Sequence, residues 1–219
     1  MNTTMKIKLS LILIVLLAFA AGCAKPRFAD INNVHTGIGE NLVCFGNSLT
    51  AGIGAEKDKD FPTILAQKLK LPVIKAGHSG DTTFNALERV DDVIQMKPKI
   101  VIVEFGANDF LLSFRSGIGG AGESHVKAFE NLKIIVNKLQ NAGAVVIIAG
   151  IALNDNYRDG YRKLAEETHS ILIPDILEGI RDNQNLMSAD NRHPNSLGYQ
   201  KMSEKFLDVL EPLLIEIEK

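Results

Sequence analysis

The chain lacks most of the features that mark a specialised class of protein. Two cysteines in 219 residues are too few for a disulfide-stapled scaffold. Acidic and basic residues form no long blocks and the formal net charge is −2, so there is no electrostatic footprint for nucleic acid. Histidine and cysteine do not cluster at metal-ligand spacings, and there is no internal repeat or low-complexity tract. The one long apolar run, "LILIVLLAFA" at residues 11–20, is too short to span a bilayer comfortably. What remains is an ordinary globular composition, 46% hydrophobic and 23% charged, in a length suited to one domain with a well-buried core.

The N-terminus reads as an export signal. Lys6 and Lys8 form a basic n-region ahead of the apolar run, and "AGC" follows it. Small-small-Cys at that place resembles the lipobox of bacterial lipoproteins, with Ala20 standing where that motif usually has leucine. The resemblance implies removal of residues 1–22, lipidation of Cys23, and membrane attachment through that N-terminal lipid. The other reading is a secretory peptide cut after "AFA", which would release a soluble periplasmic or secreted protein. Removing residues 1–22 takes away two lysines and no acid, so the mature charge falls from −2 to −4. Residues 23–40 show no clear period and read as a tether. Pairing of the cysteines is not expected, because Cys44 lies inside an apolar run, where a free thiol behaves as a small hydrophobe.

From residue 41 onward, short β-branched runs alternate with helical ones. "LVCF", "PVIK", "IVIVEF", "AVVIIAG" and "ILIP" are apolar without strict alternation, as in strands covered on both faces. Phe84, Leu87, Val90 and Ile94 recur at helical spacing, as do Val126, Phe129, Leu132, Ile135 and Leu139, with Gly143 placed to stop the second helix. Met202, Phe206, Val209 and Leu213 mark a last helix that Pro212 is expected to kink or break. The alternation predicts one α/β domain over 41–219, a parallel sheet with helices on both faces. Ligands of such sheets bind beyond the carboxyl ends of the strands.

The strand ends carry the chemistry. "GNS" with Ser48 follows the first run, and "KAGHSGDTT" with Gly80 follows the second, where Asp81 or Thr82 would cap the next helix. "GAND" with Asn108 follows the third, and "ADNRHPN" supplies Asp190 and His193 before the final helix, which should begin near Asn195 or Ser196. A serine hydroxyl needs a base to attack, and histidine, with an ordinary pKa near neutrality, is the natural one. Asp190 can fix the tautomer of His193 and stabilise its cation. The oxyanion formed in acyl transfer needs preorganised donors, which the backbone N–H groups of Ser48 and Gly80 and the amide of Asn108 could supply.

In order, "FGNSLT", "SGDT", "GAND" and "DNRHPN" resemble the blocks of the SGNH (GDSL-type) hydrolases, from about residue 41 to the C-terminus. "FGNSLTAGIG", "HPNSLGYQ" and "LEPLL" are most similar to the exported esterase, thioesterase and lysophospholipase branch. The resemblance implies a three-layer α/β/α sandwich with a flavodoxin-like five-stranded parallel sheet. It makes Ser48 nucleophile and oxyanion donor, Gly80 and Asn108 the other donors, His193 the base and Asp190 its orienter, with no metal or organic cofactor. Asn47 stands where the family motif usually has aspartate.

Other patterns in the sequence compete with these. Gly46-x-Ser48-x-Thr50 is not the nucleophile elbow of α/β-hydrolases, because threonine takes the fifth position. "GIGGAG", with Gly117, Gly119 and Gly122, matches a dinucleotide fingerprint only literally, since it does not follow a strand directly; it reads as a flexible loop. His35, His78, His125 and His169 lack partners in sequence and read as surface or structural, although His78 is near enough to the second block to line a cleft. Phe110, Leu111, Leu112 and Phe114 are either an acyl-binding wall or plain core. The expected function is a serine esterase acting on acyl esters or thioesters, lysophospholipids among the candidates. A carbohydrate O-acetylesterase of the envelope and a catalytically silent ligand-binding protein are the alternatives.

Overall fold

Strands with no polar face need cover on both sides, and the chain supplies it. In the computed structural model, which describes residues 27–116 and 121–219, five parallel strands form one sheet: β1 (Asn41–Gly46), β2 (Val73–Gly77), β3 (Pro98–Glu104), β4 (Val145–Ala149) and β5 (Ile171–Ile173). Their order is β2-β1-β3-β4-β5, the flavodoxin-like arrangement, with the strand order reversing at β1. The helices are α1 (Ser48–Ala51), α2 (Phe61–Lys68), α3 (Thr83–Gln95), α4 (Ala107–Ser116), α5 (Ala121–Asn141), α6 (Asp155–Thr168) and α7 (Ser196–Ile217).

Successive strand residues feed two cores. Leu42, Cys44, Ile100, Ile102, Val145 and Ile147 pack with α2 and α7, where the Phe61 and Phe206 rings stack with centroids 4.7 Å apart. Val43, Phe45, Val101, Val103, Val146 and Ile148 pack with α3, α5 and α6. This is the expected three-layer sandwich. Cys44 is a buried free thiol whose pKa burial pushes well up, which suits a core residue.

Three details depart from the sequence expectations. Phe84 is 60% exposed, and α3 buries Thr83, Ala86, Val90 and Val93 instead: small residues let the helix start lie close to its neighbours. Val126 is likewise exposed at the start of the α5 face, while Leu132, Ile135 and Leu139 are buried. Pro212 does not end α7, which runs on to Ile217.

The stretch expected as a tether is docked from residue 28 onward. Phe28 and Val34 are buried in the core beneath α7. The Asn32 backbone N–H donates to His169 O (3.0 Å), and Asn33 Nδ2 donates to the carbonyls of Gln140 (2.8 Å) and Ala144 (2.9 Å). These acceptors lie just before β4 and β5, so the segment closes the N-terminal edge of the sheet. Cys23 and the export signal lie outside the described residues, as do Gly117 and Gly119 of the glycine-rich loop.

Candidate active site

The end of β1 explains why glycine precedes the serine. A Cβ on Gly46 would sit 2.0 Å from Thr50 Oγ1 and 2.6 Å from Glu104 Oε2, so only glycine lets the turn fold back onto the strand. Asn47 caps α1, its Oδ1 accepting from Leu49 N at 3.1 Å. That cap places Ser48 at the first helical position with its side chain largely buried. Its backbone N–H has no acceptor among the described residues, since the first N–H groups of a helix lack internal partners.

The opposite wall is a turn built around Asp190. Oδ1 accepts from Ser188 Oγ (2.7 Å), Arg192 N (2.9 Å) and His193 N (3.0 Å), and Oδ2 meets His193 Nδ1 at 2.6 Å. The bond to His193, then the backbone N–H of His193 and the Ser188 hydroxyl, hold the Asp190 carboxyl well below the usual carboxylate range. With Nδ1–H donated to Asp190, His193 turns its Nε2 lone pair to Ser48 Oγ, 2.8 Å away. Asn195 caps α7 as expected and also donates to the carbonyls of Asn185 and Met187, which fixes the turn to the domain.

Gly80 and Asn108 line the same cleft. Gly80 has φ +90° with no atom within 4 Å of where a Cβ would stand, so its backbone conformation, not crowding, calls for glycine. Asn108 Nδ2 donates one hydrogen to Asp81 O at 2.8 Å, which leaves the second amide hydrogen free to point at a ligand. The space in front of Ser48 is about 330 Å³, walled by Leu111, Ile151, Leu153 and Leu177, with Arg192 among its lining residues. Of the proposed acyl wall, Leu111 lines the cleft and Phe110 packs against the core, while the side chain of Phe114 lies outside the described ones. His78 is exposed near Asp81 and outside the cleft lining.

Three supporting residues escaped the sequence reading. Asp109 accepts from Thr83 N and from Thr83 Oγ1 (2.6 Å), tying the Asn108 turn to the start of α3 just beyond Gly80. Arg89 donates to Asp81 Oδ2, Ala76 O and Gly46 O and lies over the Phe45 ring, clamping the ends of β1 and β2. Glu104, fully buried at the end of β3, accepts from Asn47 N (3.1 Å) and Thr50 Oγ1 (3.0 Å) beneath the Ser48 turn. Burial raises its pKa to about 7. No periodicity could single out one acid in an apolar strand or one arginine on a helix.

Residues 44–201, well over half of the chain, match the model of the GDSL-like lipase/acylhydrolase family. The chain belongs to that family. GDSL-family hydrolases act on ester bonds, and so does this enzyme. It is 28% identical to esterase TesA of Pseudomonas aeruginosa over 189 residues, covering 80% of this chain and 90% of that one. It is 27% identical to the thioesterase 1/protease 1/lysophospholipase L1 of Escherichia coli, covering 97% of this chain and 96% of the other. A crystal structure of TesA superposes with a TM-score of 0.71 at 27% identity, covering 79% of this chain and 99% of that one. Among GDSL-family sequences, the asparagine at position 47 now has a physical setting. An aspartate there would bring a second carboxylate against buried Glu104, and two like charges in a dry site cannot both ionise cheaply.

Proposed function

We propose that this hydrolase is a serine esterase that cleaves acyl esters or thioesters through an acyl-enzyme on Ser48. The carrying observation is the unbroken line Ser48 Oγ–His193 Nε2, His193 Nδ1–Asp190 Oδ2, at 2.8 and 2.6 Å. Ser48 Oγ attacks the carbonyl carbon while its proton passes to His193 Nε2, and Asp190 stabilises the imidazolium. The oxyanion accepts from the N–H groups of Ser48 and Gly80 and the free amide hydrogen of Asn108. As the tetrahedral intermediate collapses, the bond to the leaving oxygen or sulfur breaks and that atom takes the proton from His193 Nε2. Water, deprotonated by the same nitrogen, then attacks the acyl carbon; the bond from that carbon to Ser48 Oγ breaks, Oγ takes the proton back from His193 Nε2, and the acid leaves. The apolar walls suit an acyl chain, in keeping with relatives named esterase and thioesterase.

We place the enzyme in the bacterial envelope, exported by residues 1–22 and held to the membrane by a lipid on Cys23. The test of the chemistry is hydrolysis of short and long p-nitrophenyl esters. Ser48→Ala is expected to lower kcat/KM by roughly 10³-fold or more, and a fluorophosphonate should label the parent but not the variant. Equal rates for the two proteins would refute the mechanism. Mass spectrometry of the mature N-terminus tests the anchor, and an unmodified start at Ala21 would refute it.

A further inference from the structure

Thr82, not Asp81, caps α3, which leaves the Asp81 side chain to another partner. Its Oδ2 accepts from Arg89 Nε at 2.7 Å, and both side chains are mostly buried. The same guanidinium donates from Nη1 to Ala76 O (3.0 Å) and from Nη2 to Gly46 O (2.9 Å). A planar fork with three acceptors cannot shift toward one without leaving another. Arg89 thus ties the last residue of β1 to the end of β2, an edge strand with a neighbour on one side only.

All three oxyanion donors hang on groups that this pair holds. Ser48 N stands two residues past Gly46, whose carbonyl Arg89 grips. Asp81 N donates to His78 O at 3.2 Å, closing the turn that carries Gly80. Asp81 O accepts from Asn108 Nδ2 at 2.8 Å. The donors come from three separate strand ends, and an oxyanion hole works only when its donors are in place before charge develops. Neither Arg89 nor Asp81 lines the cleft, so neither reaches the ester itself. Resting on the acyl-enzyme reading above, we propose that Arg89 and Asp81 are positioning residues of the oxyanion hole, their ion pair setting the spacing of Ser48 N, Gly80 N and Asn108 Nδ2.

The test pairs hydrolysis of p-nitrophenyl butyrate with inhibition by butyl trifluoromethyl ketone, which adds Ser48 Oγ at its carbonyl carbon and leaves an oxyanion in the hole. Arg89→Met should lower kcat about thirtyfold, because it misplaces donors without deleting one, and should leave KM within about twofold of the parent's. The ketone's Ki should rise in proportion to the fall in kcat/KM. Arg89→Lys should recover part of kcat, since lysine keeps the charge beside Asp81 but not the fork. Asp81→Ala keeps the backbone bonds and should act in the same direction, and the double variant should fall no further than Arg89→Met alone. A fall in kcat/KM with the ketone's Ki unchanged overturns the proposal. Parent-like kcat in Asp81→Ala also overturns it, even where Arg89→Met does not fold. A parent enzyme that cleaves no ester and takes no fluorophosphonate overturns the acyl-enzyme reading, and this proposal with it; a parent that does both while its variants lose nothing overturns this proposal alone.

Discussion

At the scale of single residues, the least expected group is the carboxyl of Glu104. Its Oε1 and the neighbouring Asn47 Nδ2 are buried without hydrogen-bond partners among the described residues, so the pair under the nucleophile turn is only half satisfied. A carboxyl whose pKa rises from 4.5 to about 7 on folding holds its proton more tightly in the native state than in the unfolded one. Its contribution is therefore fully present below about pH 4.5 and is lost as the pH climbs through 7. The shift corresponds to about 3 kcal/mol across that window. Denaturant unfolding at pH 5, 6, 7 and 8 should show the parent losing stability with rising pH relative to Glu104→Gln, whose uncharged amide does not titrate. Parallel stability profiles for the two proteins would exclude a titrating Glu104. The same site accounts for Asn47, which keeps the capping oxygen of an aspartate without adding its charge.

At the scale of elements, the sequence was informative wherever one local rule acted alone. The five strands lie within a few residues of their apolar runs, Thr82 caps α3 through a reciprocal capping box, and Ser48, Gly80, Asn108 and His193 all line one cleft, with Asp190 bonded to His193. It was less informative where a distant partner decides. The buried face of α3 is set by Thr83 being held by Asp109, which leaves Phe84 outside however regular its spacing. The segment before β1 has no period because it is neither helix nor strand; it is fixed by side chains reaching the carbonyls before β4 and β5 and by the Phe28 and Val34 anchors. Phe28→Ala should then lower unfolding free energy by about 2 kcal/mol or more, as loss of a buried ring does. A free tether would instead leave the denaturation midpoint unchanged.

At the scale of the whole molecule, the parallel sheet separates two ends. The cleft lies beyond the carboxyl ends of β1 and β3, at the point where the strand order reverses. The chain enters at the other end, where residues 28–34 dock before β4 and β5. Strands of five to seven residues at the centre of the sheet keep these ends roughly 20 Å apart, whereas the four peptide links from Cys23 to Arg27 reach about 14 Å at most. A lipid on Cys23 would thus hold the domain with its cleft turned from the anchoring bilayer, favouring esters that arrive dissolved over esters embedded in that bilayer. The lipidated protein in vesicles and a soluble form beginning at Ala24 should then hydrolyse p-nitrophenyl butyrate at rates within about twofold of each other. For a long-chain ester placed in the same vesicles, anchoring should bring no more than a similar gain, although a lipid anchor raises local concentration steeply. A many-fold gain for the anchored form on that embedded ester would show that the cleft faces the membrane and would overturn this orientation.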